Sequence, residues 1–183
     1  MSALWVFVPV LGAAVMHAPV LTFDLFKPLK RPLDFGATFR GRRLFGDNKT
    51  WRGALFMTSG VVVAAGLLSL WPWYWHELPD GIQDAGPWVY GLLLGLSVVV
   101  GELPNSFVKR RLGIQPGSQR RDALGIAISI FDQADFVLVA WLFLLPLWTM
   151  SVAQAVIVFA VVAAVHMVIN VIGYWIGART SPL

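Results

Sequence analysis

Hydrophobic residues fall into five long runs that are separated by short polar segments. Each run is long enough to cross the ~30 Å hydrocarbon core of a bilayer as a helix rising 1.5 Å per residue. The pattern predicts an all-α, polytopic membrane protein with five transmembrane helices in a single domain, residues 1–183. The predicted spans cover residues 3–23, 53–75, 85–108, 123–145 and 151–178.

Composition strengthens this prediction and narrows the chemistry. Apolar residues make up 57% of the 183 residues and charged residues 13%, with a mean hydropathy of +0.70. Such values exclude an ordinary soluble domain. The chain has no cysteine, which excludes disulfides and thiolate metal sites. A bound metal would therefore need oxygen or imidazole ligands.

The positive charges are concentrated in two segments. The first basic loop, residues 27–52, holds eight of the 14 Lys and Arg residues, and the second basic loop, residues 109–122, holds five. Basic loops of membrane proteins lie preferentially in the cytoplasm. The pattern predicts a multi-pass protein of the cell (plasma) membrane, with its N-terminus outside and its C-terminus in the cytoplasm.

The fourth predicted span contains two aspartates, Asp132 and Asp135. Carboxylates at membrane depth are costly and survive where they face a partner, a metal or a water-filled cavity. The spacing of three places both on one helical face. No other predicted span contains a Lys or Arg at that depth, so a metal or a substrate cation is the expected partner. Paired carboxylates suit Mg²⁺ and phosphate chemistry.

Other polar residues are predicted at a similar level. Helical rise places Asp132 and Asp135 about 14 and 18 Å from the cytoplasmic end, and Asn170 and His166 about 10 and 16 Å. Glu102 lies one to two turns from the cytoplasmic end of the third span. The sequence therefore predicts a cytoplasm-facing cavity. For His166 and Asn170 alone, a structural hydrogen-bonding role between helices is the stronger alternative.

The two basic loops combine cations with glycines in a way that suits phosphate binding. Backbone N–H groups at glycines approach anions closely, and Lys or Arg supply charge-assisted hydrogen bonds. The alternative is that these loops only set membrane orientation and contact anionic lipid headgroups. Charge alone does not decide between the two interpretations.

Four segments together resemble the CDP-archaeol synthase family, relatives of the CDP-diacylglycerol synthases. They are LFGDNKTWRG in the first basic loop, GELPNSFVKRRLGIQPG across the end of the third span, FDQADF in the fourth span, and His166 with Asn170 in the fifth. One departure is Glu102, which stands where the family usually has aspartate.

The resemblance implies specific roles for these residues. Asp132, Asp135 and Lys109 would be catalytic, and Mg²⁺ would be held by Asp132 and Asp135 with Glu102. His166 and Asn170 would be a supporting polar pair. The residues implied in nucleotide or phosphate binding are Asp47, Asn48, Lys49, Thr50, Arg52, Ser106, Lys109, Arg110 and Arg111.

The implied reaction transfers a cytidylyl group from CTP to a lipid phosphate of the archaetidic or phosphatidic acid type, which enters from the inner leaflet. The products are a CDP-activated lipid and pyrophosphate. No nucleic-acid partner is expected, and a homodimer is left open because no span shows a dominant small-residue face. The alternative function is a small cation- or proton-coupled transporter. That alternative explains the buried acids but not thirteen cations in two glycine-containing loops.

Overall fold

The chain folds into a mostly helical bundle. The computed structural model describes residues 2–115, 128, 132 and 135–175. In chain order the helices and strands are α1 (Ser2–Trp5), α2 (Leu11–Thr22), β1 (Thr38–Phe39), β2 (Arg42–Arg43), α3 (Trp51–Leu68), α4 (Pro72–Trp75), α5 (Asp80–Arg111), α6 (Phe136–Leu144) and α7 (Val152–Trp175). Two short 3-10 turns lie at Val8–Val10 and Lys27–Leu29.

Four segments of the described chain are long and apolar enough to cross a membrane. They are Ala3–Thr22, Trp51–Leu68, Asp80–Arg111 and Val152–Trp175, and they correspond to the first, second, third and fifth predicted spans. Most of residues 123–134, the first half of the predicted fourth span, lies outside the described residues. Five spans and the orientation of the termini therefore stay predictions.

Prolines divide two of the predicted spans. The first is not one continuous helix, because a 3-10 turn containing Pro9 separates α1 from α2. The second was predicted to reach residue 75, but α3 ends at Leu68 and the short α4 starts at Pro72. Proline disfavours helical geometry in the residue before it, and Trp71 is indeed extended, with φ −98° and ψ 104°.

Close helix contacts hold the bundle together. The α3 helix packs against both α2 and α5, and α5 also packs against α6. Gly12 and Gly60 face each other across the α2–α3 contact, where a Cβ on either residue would overlap the backbone carbonyl of the other. Glycine thus allows the two backbones to approach in the manner of small-residue membrane interfaces.

The first basic loop contains regular structure that the all-α prediction missed. Residues 38–43 form a two-stranded antiparallel β-ribbon, in which Thr38 pairs with Arg43 and Phe39 pairs with Arg42. Its turn residues, Arg40 and Gly41, have φ of 51° and 73°, as in the tight hairpin turns whose twist matches that of the strands. The fold is therefore helical with one small ribbon.

Candidate functional site

One face of the C-terminal half of α5 carries the polar residues of the site. Glu102, Asn105 and Lys109 are three and four residues apart, so they lie along one side of the helix. Gly101 adjoins them and contacts Phe136 so closely that a Cβ would overlap the Phe136 backbone. This contact brings Asp135, the residue before Phe136, against the polar face of α5.

Two ion pairs connect this face to the first basic loop and to the aspartate pair. Lys49 Nζ lies 2.5 Å from Glu102 Oε2, and Lys109 Nζ lies 2.6 Å from Asp132 Oδ1. Asn105 Nδ2 also donates a hydrogen bond to Asp132 Oδ1, at 2.6 Å. Three separate segments therefore meet at one cluster, which we call the acid–lysine cluster: Lys49, Glu102, Lys109, Asp132 and Asp135.

The Lys109–Asp132 pair corrects one expectation from the sequence. No cation was expected within reach of Asp132, because none lies at the same depth in another span. The long lysine stem resolves this, since a side chain anchored near a helix end can extend along the helix to reach a distant partner. Asp132 and Glu102 thus have cationic partners from the protein itself.

Asp135 differs from the other two acids. It is 5% exposed, and its Oδ2 has no hydrogen-bond partner among the residues that the structure describes. Glu102, Asp132 and Lys49 all lie within electrostatic reach of its carboxyl group. A buried carboxylate oxygen without a partner is costly, which makes Asp135 the strongest candidate to contact a ligand.

The donor set of the cluster fits a hard cation. Two ammonium and three carboxylate groups leave one net negative charge when all are ionised, and carboxylate oxygens are ligands that Mg²⁺ prefers. Within the described residues, no group of three or more His, Cys, Asp or Glu side chains is already arranged around a common metal position. Asp135 is the best-fitting ligand, because its Oδ2 has no partner among the described residues, whereas Glu102 pairs with Lys49 and Asp132 with Lys109.

Lys49 is a persistent positive charge. Burial by itself lowers the pKa of the Lys49 ammonium, but the Glu102 carboxylate and its hydrogen bond outweigh that effect and raise the pKa above its usual value. Lys49 is therefore protonated at neutral pH. A cation held in a partly buried position suits the recognition of an anionic substrate.

Two residues of the first basic loop that are predicted to bind nucleotide have partners within the protein. Arg52 is buried and donates to Asp24 Oδ1 at 2.8 Å and to the Leu25 carbonyl at 2.7 Å. Thr50 caps α3, since its Oγ1 accepts a hydrogen bond from the Gly53 N–H. These contacts stabilise the entry into α3.

The remaining predicted binding residues occupy different environments. Asp47 is exposed and lies 2.5 Å from Arg43, Asn48 is exposed, and Ser106 is buried on α5 beside Asn105. Arg110 and Arg111 direct their guanidinium groups to backbone carbonyls of the first basic loop. Phosphate binding by this set stays a prediction.

The supporting pair lies on α7, which among the described elements packs mainly against α6 and α1. Asn170 is buried and His166 is partly buried. Both make further interactions in the structure.

A third histidine, His17 on α2, lies close to the acid–lysine cluster. It lies beside Gly53 and within electrostatic reach of Glu102, Lys49 and Arg52.

Asp34 is a second residue that sequence reasoning missed. Its carboxylate is fully buried and accepts hydrogen bonds from the N–H groups of Gly36, Phe45 and Gly46, while Arg43 Nη2 lies 2.6 Å away. The signal was present, because an aspartate two residues before a turn glycine often bonds to the backbone there. Asp34 ties the two sides of the loop together.

The Asp34 contacts predict a pH-dependent contribution to stability. Burial raises the pKa of the Asp34 carboxyl, but the hydrogen bonds from Phe45, Arg43, Gly36 and Gly46 outweigh it and lower the pKa. A carboxyl group with a lowered folded-state pKa stabilises the fold above its unfolded-state pKa, ~3.9. This contribution is lost as the pH falls through the lower folded-state pKa.

The measurement compares the Tm of the wild type and the Asp34→Asn variant between pH 3 and 7. The wild type is expected to have the higher Tm, by a margin that is constant above about pH 5 and shrinks below about pH 4. Other acids affect both proteins equally. A margin that does not depend on pH would show that the Asp34 charge does not stabilise the loop.

Comparisons with known proteins agree with this architecture. The CarS-like CDP-archaeol synthase family matches residues 2–182. The chain is 34% identical over 153 residues to the CDP-archaeol synthase of Pyrococcus furiosus, covering 82% of this chain and 83% of that protein. It is 35% identical over 159 residues to the enzyme of Halobacterium salinarum, with 83% of each covered.

A solved structure supports the same assignment. It is that of an intramembrane enzyme for archaeal membrane lipid biosynthesis, with a TM-score of 0.67, 27% identity and 92% of each chain covered. Together with the long apolar helices, this likeness identifies the chain as a multi-pass membrane protein. From its family match and its relatives, the chain belongs to the CDP-archaeol synthase family.

Proposed function

We propose that this chain transfers the cytidylyl group of CTP to a membrane lipid phosphate, forming a CDP-activated lipid and pyrophosphate. Membership of the CDP-archaeol synthase family supports CTP-dependent formation of a CDP-lipid. The relatives' names favour an ether lipid phosphate of the archaetidic acid type over an ester lipid. The structural observation that carries the proposal is the buried Oδ2 of Asp135, which has no hydrogen-bond partner among the described residues and lies within electrostatic reach of Glu102, Asp132 and Lys49.

The acidic residues of the cluster would hold Mg²⁺. Asp132 and Asp135 would supply the principal oxygen ligands, and Glu102 would contribute if Lys49 moved away from it. When bound, the ion would neutralise negative charge on the phosphate oxygens. The fit rests on hard oxygen donors and on the unsatisfied Asp135 oxygen.

The lysines would bind the phosphates. Lys49 and Lys109 are each about 20% exposed at the side chain, so they are reachable without opening the bundle. Released from Glu102 and Asp132, their ammonium groups would stabilise the charge that develops on the leaving pyrophosphate. Lys49 enters from the loop and Lys109 from the end of α5, so they approach the substrate from two sides.

The proposed step is an in-line substitution at phosphorus. An oxygen of the lipid phosphate forms a bond to the α-phosphorus of CTP, and the bond from that phosphorus to the bridging oxygen of the β-phosphate breaks. Pyrophosphate leaves with the bonding electrons. The chain needs no general base, because a lipid phosphate is already ionised at neutral pH.

The test is pyrophosphate release by purified protein in detergent, with CTP, Mg²⁺ and a lipid phosphate. We expect release with CTP rather than ATP, and faster turnover with an ether lipid phosphate than with an ester lipid phosphate. Faster turnover with the ester lipid phosphate would show that the substrate is of the phosphatidic acid type instead. No release with any combination, together with cation flux in protein-containing vesicles, would favour the transporter instead.

A further inference from the structure

Arg111 contacts three backbone carbonyls of the β-ribbon. From the last turn of α5, its Nη2 donates to the carbonyls of Arg42, at 3.1 Å, and Arg43, at 2.5 Å, and its Nη1 donates to the Phe39 carbonyl. The guanidinium also lies 4.9 Å from the ring centroid of Phe107 and 5.6 Å from that of Phe39. One side chain thus joins both strands of the ribbon to α5.

Arg110 makes a second connection between the same two elements. It is buried, and its Nε donates to the Phe45 carbonyl at 3.0 Å while its Nη1 donates to the Ile114 carbonyl. Arg110 therefore links the chain after the ribbon to the chain after α5.

One arginine of the ribbon also donates hydrogen bonds to the end of α5. Arg42 Nη1 donates to the carbonyls of Arg111 and, at 3.5 Å, Arg110. These carbonyls belong to the last turn of α5, where helical carbonyls lack a partner from the next turn; the Arg110 carbonyl also accepts from the Gly113 N–H, at 3.2 Å. A cation there also complements the helix dipole. Three arginines therefore connect the ribbon and the helix end in both directions.

Backbone hydrogen bonds connect Lys49 to the loop segments on either side of the ribbon. The Lys49 N–H donates to the Gly46 carbonyl at 3.2 Å, and the Leu33 N–H donates to the Lys49 carbonyl at 2.7 Å. Asp34 holds the Gly46 and Phe45 N–H groups from the opposite side of the loop. The loop segment after the ribbon, which Arg110 holds against α5, therefore anchors the backbone from which Lys49 reaches Glu102.

We propose that Arg110 and Arg111 are positioning residues that fasten the first basic loop to the end of α5 and so hold Lys49 beside Glu102. Their guanidinium groups serve backbone carbonyls instead of substrate phosphate. The effect on catalysis rests on the proposed function, whereas the fastening itself is a property of the ligand-free chain. The two parts can therefore be tested separately.

Arginine is required for this role. Its planar group donates in several fixed directions at once, whereas lysine offers a compact point charge. A phosphate-binding role would tolerate lysine far better, because charge supplies most of that interaction. The Arg111→Lys variant therefore distinguishes the positioning role from the phosphate-binding role predicted from the sequence.

Hydrogen–deuterium exchange of the ligand-free protein tests the proposal. We expect Arg111→Gln and Arg111→Lys to speed exchange of the amides of residues 38–46 at least about tenfold, with α5 amides near Leu94 unchanged. Lys27→Gln is the matched control, because it removes one cation from the same loop at an exposed side chain 3.8 Å from Asp24. It should leave ribbon exchange unchanged.

Unchanged ribbon exchange in Arg111→Gln, with CTP binding weakened and then restored by Arg111→Lys, would overturn the proposal in favour of phosphate binding. If Arg111→Gln speeds exchange throughout α5, that variant has disturbed the helix itself. The Arg42→Gln variant then tests the fastening role, because it removes side-chain contacts from the ribbon and leaves α5 unchanged. Faster ribbon exchange in Arg42→Gln supports the fastening role, and unchanged exchange refutes it.

Activity then tests the consequence for catalysis. Arg111→Lys should lower kcat and raise the KM for CTP, whereas a lost phosphate contact would chiefly raise that KM. If the wild type shows no cytidylyl transfer at all, the proposed function fails. The exchange result would still report the fastening role.

Discussion

Replacing Asp135 by asparagine is expected to lower kcat at least about 100-fold while leaving the Tm unchanged or higher. Asp135 is almost fully buried and has one oxygen without a partner in the described structure. A buried carboxylate in that state destabilises the fold, so removing its charge relieves a cost. The same change removes a proposed metal ligand, and activity falls for that reason.

The measurement pairs steady-state kinetics with thermal unfolding of the same preparations. Asp84→Asn is the matched control, because Asp84 is an exposed acid near the opposite end of α5; both its activity and its Tm should match the wild type. A wild-type kcat in Asp135→Asn would show that Asp135 is not a metal ligand. A large fall in Tm would show that Asp135 has a structural role instead.

Replacing Gly101 by leucine is expected to abolish most activity and to lower stability by about 1–3 kcal/mol. A side chain at residue 101 would overlap the backbone of Phe136, so α6 would have to move away from α5. That movement would carry Asp135 away from Glu102. Stability and activity should therefore fall together, unlike in Asp135→Asn.

A graded series makes this prediction specific. Gly101→Ala should give a smaller loss of both Tm and kcat than Gly101→Leu, because it adds only the Cβ. Gly53→Ala is the control for a helical glycine, since its Cβ would meet only ordinary contacts at 3.5 Å, and its Tm should stay near that of the wild type. Normal Tm and activity in Gly101→Leu would refute the close α5–α6 contact.

Hydrophobic patterning predicted much of the helical architecture. The first, second, third and fifth apolar runs correspond to membrane-length segments, because burial of an apolar run in lipid is dictated by its length and composition. The points at which these helices break depend on the backbone preferences of single residues such as proline. Pro72 marked the end of the second run before residue 75 and gave a usable signal, whereas the two-residue strands of the ribbon are too short to show a period.

The acids of the site were easier to predict than their partners. A buried carboxylate stands out in an apolar run, and Glu102 was found in the same way. The Lys49–Glu102 and Lys109–Asp132 pairs depend on how a loop folds over a helix end and on the reach of lysine stems. Asn105 was detectable, because it lies three residues after Glu102 and four before Lys109 on one helical face.

Arginine roles were the hardest to predict from sequence. The family resemblance implied that Arg110 and Arg111 bind phosphate, and their sequence neighbours gave no reason to expect otherwise. Their partners include main-chain carbonyls of the first basic loop, more than 60 positions away. Such contacts depend on tertiary structure, and no local pattern encodes them.

The most direct test of the account follows the α-phosphate of CTP. Purified protein is incubated with CTP labelled at the α-phosphorus, a lipid phosphate and Mg²⁺, and the organic-extractable label is measured, with γ-labelled CTP in a parallel sample. We predict that the α label enters the lipid fraction and the γ label remains aqueous as pyrophosphate. Absence of α label from the lipid, or its appearance there equally in Asp135→Asn protein, would contradict the account.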